Sequence, residues 1–366
     1  MDPDLPQVEA ALTHWPEASG AAVRRMTTAK SFSGAAVWRV SLPGGDRALK
    51  RSLVGLPGAG KKRPFVHAPK FATEHANEAV AEAMSRWHKF QNHLAAIEPR
   101  LVAQIYAAQS GQTIVSSRGC YWQLETWLPG AADFAESPSE HRVIAAAKAL
   151  AKLHLAAAGF PGTDTLDEII AAGQSIPHDL SQRLSRSRKL LASELKGLVS
   201  RLNGVDKNAA TALLADVLRM AAPHLPQLAD ELARACEADF DVKWILGDAR
   251  EGNILFSGAE VTGFVDLGTA RRSIQAGDLV RMLGSMVGDD RARWLVGLAA
   301  YESVRPLPLE ELRVIDLLRR SEIVLSAANW VGWLMPGEPL AQSGEQRYLD
   351  RLAALADRLR RLTRWD

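Results

Sequence analysis

Three short apolar runs, each close to a glycine or a polar residue, constrain the fold of this chain more than any other feature. They occupy residues 244–246, 254–256 and 261–265. Apolar runs of this length, bounded by turn residues, are typical of buried strands joined by tight connections. Asp248, Asn253 and Asp266 flank these runs. We therefore expect their side chains at the ends of strands that are neighbours in the fold.

These three side chains carry oxygen atoms that suit a hard cation. Mg²⁺ prefers carboxylate and amide oxygens and needs few protein ligands when phosphate groups supply the others. A single Asp or Asn at a strand end is more often a turn residue. The set of three, at these spacings, favours a site for Mg²⁺ and a phosphate-bearing ligand.

The motifs around these residues resemble a known family. LGDAREGN at 246–253, VDLG at 265–268 and AGDL at 276–279 resemble the catalytic half of the aminoglycoside phosphotransferases and choline kinases, which are relatives of the protein kinases. The resemblance implies that Asp248 is catalytic and receives the acceptor hydroxyl, and that Asn253 and Asp266 hold Mg²⁺. It also implies that Asp278 binds the backbone of the catalytic loop. One departure is Leu246, where relatives usually carry His.

An alternating pattern predicts a hairpin of two strands near the N-terminus. Residues 36–42 alternate with the period of a half-buried strand, 43–46 form a turn, and 47–53 return. Lys50 lies on the returning strand. The resemblance implies that Lys50 binds the nucleotide phosphates. It also implies that Ser33 and Gly34 belong to the turn that covers these phosphates.

A helix is predicted over residues 71–90, with Glu74, Glu78 and Glu82 on one face because they are four residues apart. The resemblance implies that one of them pairs with Lys50. Glu82 is our choice and Glu78 the alternative.

The run GLPGAGKK at 55–62 nearly matches a phosphate-binding loop. That motif needs a hydroxyl residue after the lysine and a helix behind the glycines. Lys62 replaces the hydroxyl and Pro64 follows closely, so we predict that this segment is not a nucleotide site.

Further strands are predicted over 101–106, 113–116 and 120–128, before helices begin. The last strand resembles the hinge of the family, where backbone groups near Glu125 and Trp127 would hold the adenine. Leu255 is assigned to the same nucleotide site. Residues 137–140 form a capping-box pattern with Pro138 at the first helical position, and the helix that follows is expected to end at Gly159.

Strands first and helices afterwards predict an α+β fold. The resemblance makes it a bilobal protein-kinase-like fold, with a small antiparallel-sheet N-lobe that has one helix and a larger, mainly helical C-lobe. We expect a nucleotide-binding lobe with the hinge over residues 1–128. We expect the catalytic loop, the metal site and an acceptor-binding insertion at about 160–243 within the second lobe, residues 129–366.

Composition excludes several classes of partner. The formal net charge of +2 with interspersed signs does not favour nucleic acid or an acidic membrane. Two distant cysteines offer neither a zinc pattern nor a disulfide framework, and the N-terminus lacks the pattern of a signal peptide, so we expect the reducing cytoplasm. A monomer and a homodimer are both compatible with the sequence.

The predicted function is ATP-dependent O-phosphotransfer to a small hydroxylated molecule that is aminoglycoside-, choline- or sugar-like, with GTP as the alternative donor. A catalytically silent nucleotide-binding regulator with a kinase-like fold is the alternative. A protein kinase is disfavoured because the interval between Asp266 and Asp278 is short for an activation segment.

Overall fold

The computed structural model describes residues 2–26, 36–52, 74–161, 177–342 and 346–364, and for residues 74–83 it describes the backbone. The chain divides into two compact units. Unit 1 comprises residues 1–163 and 251–270, and unit 2 comprises residues 164–250 and 271–366.

Unit 1 is built on an antiparallel sheet in the order β1-β2-β3-β6-β4, with β5 also paired to β6. The strands are β1 (Ala22–Met26), β2 (Ala36–Ser41), β3 (Arg47–Ser52), β4 (Ile105–Tyr106), β5 (Val115–Ser117) and β6 (Cys120–Thr126). The predicted hairpin of β2 and β3 is present, with Lys50 opposite Gln123 of β6. The sequence pattern did not reveal β1.

One face of this sheet is apolar and is covered by the N-terminal helix α1 (Leu5–Leu12) and the 3₁₀ turn Pro16–Ala18. Trp15 of the N-terminal segment and Trp38 of β2 are fully buried in a shared core cluster. Asp2 accepts a hydrogen bond of 2.6 Å from Nε1 of Trp38. The N-terminal segment is therefore part of the core of unit 1.

The remaining elements of unit 1 are two long helices and a hairpin. They are α2 (Glu74–Ile97), α3 (Glu140–Ala158), β8 (Ile254–Ser257) and β9 (Glu260–Phe264). Helix α2 continues seven residues beyond the predicted end. The N-cap of α3 is Ser139, which accepts from the amide of Arg142 at 3.3 Å. The predicted capping box was therefore placed two residues too early.

Unit 2 is mainly helical, with one short two-stranded sheet. Strand β7 (Lys243–Ile245) pairs with β10 (Arg271–Ser273). The helices are α4 (His178–Lys189), α5 (Leu195–Asn203), α6 (Ala209–Ala221), α7 (Leu225–Ala235), α8 (Gln275–Met286), α9 (Arg291–Glu302), α10 (Leu309–Trp333), α11 (Pro339–Gln342) and α12 (Gln346–Arg360). Helix α10 is the centre of this unit, because α4, α6, α7, α8 and α12 all pack against it.

The sequence predicted that the three apolar runs form neighbouring strands, and the strand pairing differs from this prediction for one run. Strands β8 and β9 of unit 1 pair as expected. Strand β7 pairs with β10 instead, and both of these strands belong to unit 2. The partner of a strand depends on which other strand lies beside it in the folded chain. The partner of β7 is formed by residues that lie beyond the three runs in the sequence.

The sheet unit extends further along the chain than residue 128, since residues 129–163 and 251–270 cluster with it. The functional division at residue 128 stays a prediction. None of the helices in the described ranges is long and apolar enough to cross a membrane.

Candidate active site

Lys50 lies on β3 in unit 1 and forms an ion pair with Glu125 of β6. Glu125 is 2% exposed. Its second oxygen accepts hydrogen bonds from Nε2 of Gln91 at 3.2 Å and Nε2 of Gln123 at 3.0 Å. A buried carboxylate needs such partners to offset the loss of hydration. Lys50 is thus held on the face of the sheet that α2 covers.

His88 of α2 extends the same polar layer. Its ring nitrogens lie 2.8 Å from Oγ1 of Thr113 and 3.2 Å from Oε1 of Gln123. Burial lowers the pKa of His88 to about 4, and the positive charge of Lys50 acts in the same direction. The histidine is therefore neutral at physiological pH and serves as a hydrogen-bonding bridge between α2 and β6.

The residues predicted to hold adenine lie at the end of β6. The backbone of Glu125 is inside the sheet, opposite Ala48 on one side and Ile105 on the other. The amide of Trp127 donates to the carbonyl of Asp46 at 3.2 Å. An adenine donor at this hinge would have to come from another backbone group near Trp127, and adenine binding here stays a prediction.

Leu255 lies on β8 between two buried neighbours and is itself half-buried. It faces Gly263 of β9 in the ladder. A Cβ atom at Gly263 would be 2.6 Å from Cδ1 of Leu128, so the glycine leaves room for the Leu128 side chain, which follows β6. Leu255 consequently belongs to a hairpin that is packed against the predicted hinge.

Asn253 and Asp266 lie at one end of this hairpin. The amide of Val265 donates to the carbonyl of Asn253 at 2.9 Å, which brings the two predicted ligands close in the chain fold. Asp266 has a φ of 65°, a left-handed conformation that Asp tolerates better than most residues. One amide oxygen and one carboxylate suit Mg²⁺ when phosphates complete the coordination. The described residues contain no group of three His, Cys, Asp or Glu side chains that could hold a metal without such help.

Asp248 lies in unit 2, on the loop after β7. The backbone of this loop is fixed by Asp278 of α8, whose two carboxylate oxygens accept from the amides of Leu246 at 2.7 Å and Gly247 at 2.8 Å. This confirms the contact that the family resemblance implied. Gly247 has a φ of 84°, so the turn before Asp248 needs a residue without a Cβ atom.

Two arginines bracket the carboxylate of Asp248. Nε of Arg281 on α8 donates to Oδ1, and Nε of Arg250 donates to Oδ2 at 3.1 Å. Burial acts to raise the pKa of Asp248, but the two guanidinium groups outweigh it and lower the pKa below its ordinary value. Asp248 is therefore an ionised carboxylate at neutral pH, able to accept a hydrogen bond from a hydroxyl group.

Arg281 also contacts Glu322 of α10, with Nη1 3.0 Å from Oε1. Sequence reasoning missed both residues. Arg281 lies three positions after Asp278 in the AGDLVR segment, so helical spacing alone would have placed the two on one face of α8. Glu322 carries no comparable signal, because it lies in a different helix far along the chain.

Some predicted residues lie outside the described part of the chain. Ser33 and Gly34 belong to this group, as do residues 55–62 and the side chains of Glu78 and Glu82. The choice between Glu78 and Glu82 as a partner of Lys50 stays a prediction, and Glu125 is the partner that the structure shows.

A model of the phosphotransferase enzyme family matches residues 28–318. No curated protein matches the chain. The solved structure of the amicoumacin kinase hAmiN in complex with AMP-PNP, Ca²⁺ and Ami is similar, with a TM-score of 0.60 at 11% identity over 100% of this chain and 95% of that chain. An aminoglycoside phosphotransferase from Alicyclobacillus acidocaldarius has a TM-score of 0.53 at 17% identity, with 95% of both chains covered. A microcompartment-associated aminopropanol kinase has a TM-score of 0.56 at 16% identity over 98% of this chain and 97% of that chain. These similarities confirm the predicted α+β, protein-kinase-like fold.

Proposed function

The chain belongs to the phosphotransferase enzyme family, and from that premise we propose that it transfers the γ-phosphate of ATP to a hydroxyl group of a small molecule. The family makes it a small-molecule phosphotransferase; the donor and the acceptor are parts of the proposal. ATP is the proposed donor and GTP the alternative. The acceptors considered are aminoglycoside-, choline- and sugar-like molecules, and the proposed location is the cytoplasm.

The observation that carries the proposal is the state of Asp248. Its loop is anchored by Asp278, and its carboxylate is kept ionised by Arg281 and Arg250. A carboxylate in that state can orient an acceptor hydroxyl and receive its proton, which is the main demand that phosphoryl transfer makes on the protein besides charge neutralisation.

The proposed step balances as follows. The acceptor oxygen forms a bond to the γ-phosphorus, and the bond from that phosphorus to the bridging oxygen of ADP breaks. The electron pair of the broken bond leaves with ADP, and the hydroxyl proton goes to the carboxylate of Asp248. Lys50 supplies positive charge for the donor phosphates and exchanges its contact with Glu125 for them.

Mg²⁺ is the proposed metal, and Asn253 and Asp266 are the residues that would hold it. When bound, it would neutralise charge on the transferring phosphate. The described side chains fit this role, since both offer hard oxygen ligands at one end of the β8–β9 hairpin.

The test is a transfer assay on the full chain with Mg·ATP and a panel of hydroxylated acceptors, read as acceptor-dependent ADP release and a one-phosphate mass gain of the acceptor. Asp248→Asn keeps the shape of the side chain but removes the proton acceptor. We expect transfer to fall by at least about 10²-fold while Mg·ATP still stabilises the variant against heat.

An Asp248→Asn variant that turns over near the wild-type rate would remove the catalytic assignment. A wild-type chain that binds Mg·ATP and phosphorylates no acceptor would instead support a silent nucleotide-binding regulator.

A further inference from the structure

The charged groups around Asp248 form a connected network within unit 2. Arg281 joins Asp248 to Glu322, and Nη2 of Arg183 on α4 donates to the other oxygen of Glu322 at 2.8 Å. Arg250 joins the network through Asp248. These contacts tie the loop after β7 to three helices, and they decide which polar atoms remain for an acceptor.

The carboxylate oxygens of this network are already in use. Each oxygen of Asp248 and each oxygen of Glu322 accepts from an arginine. Both oxygens of Asp278 accept from backbone amides. Arg281 and Arg183 lower the pKa of Glu322 to about 2 against the opposing effect of burial. A cationic acceptor would therefore meet carboxylates whose negative charge is already balanced by arginines.

The guanidinium groups, in contrast, retain donors. In the hydrogen bonds of the described residues, Arg250 uses Nε and keeps both terminal nitrogens, while Arg281 uses Nε and Nη1 and keeps Nη2. Their side chains are 31% and 36% exposed. The planar fork of arginine matches the oxygens of a carboxylate or phosphate group. The groups on either side of the catalytic carboxylate are thus suited to anions.

We propose that the acceptor carries an anionic oxygen group, a carboxylate or a phosphate, close to the hydroxyl that is phosphorylated. Arg281 and Arg250 bind this group and hold the hydroxyl against Asp248. Hydroxy acids, sugar acids and sugar phosphates have this chemistry, whereas polycationic aminoglycosides and choline do not. The inference rests on the proposed phosphotransfer and narrows its acceptor.

The experiment compares acceptors that share a hydroxylated skeleton and differ in charge. One set is glycerate, glycerol and 3-amino-1,2-propanediol; a second is glucose 6-phosphate, gluconate, glucose and glucosamine. The measurement is kcat/KM for acceptor-dependent ADP release at saturating Mg·ATP. We expect the anionic member of at least one set to exceed its neutral and cationic counterparts by about tenfold or more, because a polar site rejects analogues that leave its donors unpaired. The phosphate and carboxylate members of the second set distinguish the two sources of negative charge.

Two variants connect that preference to the arginines. Arg281→Gln and Arg250→Gln should each lower the ratio of kcat/KM for the anionic acceptor to kcat/KM for the neutral one by about tenfold. An effect of either variant on Asp248 itself acts on both acceptors and cancels in that ratio. Arg250 is the safer variant for folding, because among the described residues its side chain makes one hydrogen bond, to Asp248, whereas Arg281 also joins Glu322. Arg313→Gln is the matched control: it removes the same charge from an exposed position on α10 and should leave the preference intact.

A higher kcat/KM for the amine members than for the anionic ones would contradict the proposal of an anionic acceptor. It would not contradict the proposed phosphotransfer. A preference for anions that survives in both arginine variants overturns the assignment to these residues. Failure to phosphorylate any anionic member counts against the inference, and failure with every acceptor tested counts against the proposed function as well.

Discussion

At the scale of single residues, Asp266 combines an unusual backbone conformation with a predicted role in metal binding. Its φ of 65° lies in the left-handed region, which Asp and Asn tolerate better than Ala does. A change to Ala at this position would therefore mix backbone strain with loss of the ligand. Asn preserves the backbone preference and the shape, so it isolates the effect of the charge.

We expect Asp266→Asn to fold normally and to lose most of the thermal stabilisation that wild-type chain gains from Mg·ATP. Ligand stabilisation scales with the logarithm of ligand concentration over Kd, so a weaker metal site gives a smaller shift of Tm. The measurement is Tm at a fixed Mg·ATP concentration, compared with the same nucleotide in EDTA. An undiminished shift would place the metal site elsewhere.

Lys50 of β3 and Glu125 of β6 form an ion pair in which Glu125 is buried and also accepts from Gln91 of α2 and Gln123 of β6. We expect Glu125→Gln to destabilise the nucleotide-free chain by about 3 kcal/mol, since it leaves Lys50 without its counter-charge. The phosphates of ATP can replace that charge. The rise of Tm caused by ATP should consequently be larger in Glu125→Gln than in the wild-type chain.

The control for this pair is a double-mutant cycle with Lys50→Met. Removing both charges should cost less than the sum of the single changes, because no unpaired charge is left behind. If ATP stabilises Glu125→Gln less than wild type, Glu125 positions Lys50 for the phosphates and does not compete with them.

At the scale of secondary-structure elements, the N-terminal segment consists of α1 and the following turn, and it covers one face of the sheet in unit 1. Trp15 is fully buried against the sheet, and its Nε1 donates to the carbonyl of Tyr106 at 3.2 Å. Asp4 adds an ion pair with Arg51 of β3 at 3.0 Å. These contacts join the first residues of the chain to strands that come much later in the sequence.

We expect Trp15→Ala to lower the free energy of unfolding by about 3–5 kcal/mol, because it removes a large buried side chain and leaves a cavity. Leu155→Ala is the control, since Leu155 of α3 is 49% exposed and should change stability by about 0.5 kcal/mol or less. Urea unfolding followed by tryptophan fluorescence gives both values. Equal losses in the two variants would show that the N-terminal cover contributes no more than a surface contact.

At the scale of the whole molecule, helices α4 to α7 occupy the part of the sequence between α3 and the loop that carries Asp248. Helix α4 of this segment reaches the Asp248 network through Arg183 and Glu322. Helix α6 contributes the buried residues Leu214 and Val217 to the core of unit 2. The segment therefore combines a structural role with contacts to the network around the catalytic residue.

Exchange of residues 159–226 for the matching segment of another small-molecule kinase should change acceptor choice or acceptor KM and leave ATP affinity nearly unaltered. Exchange is preferable to deletion because the buried residues of α6 must be replaced by equivalent ones. The measurements are acceptor kinetics and the Tm shift with Mg·ATP. Altered ATP binding with unchanged acceptor kinetics would show that the segment has a structural role and does not contribute to the acceptor site.

Local patterns in the sequence determined most of the element types. The alternation in β2 and β3, the apolar runs of β8 and β9, and the glycine after α3 act within a few residues, where side-chain period and turn chemistry decide the conformation. The predicted role of Asp248, and the contact of Asp278 with the backbone at Leu246 and Gly247, came instead from the family resemblance of their motifs. Boundaries were less well predicted, as the seven extra residues of α2 and the shifted N-cap at Ser139 demonstrate.

Only the tertiary structure determined which strands pair and which charged side chains form ion pairs. Strand β7 pairs with β10, whose residues lie beyond the three apolar runs in the sequence. Lys50 pairs with Glu125, 75 positions later, because β3 and β6 are adjacent in the sheet and both side chains face α2. Arg281 and Glu322 join Asp248 because α8 and α10 pack together. Ion pairs between distant segments depend on packing that no local period encodes, whereas the conformation of each segment depends on its own neighbours.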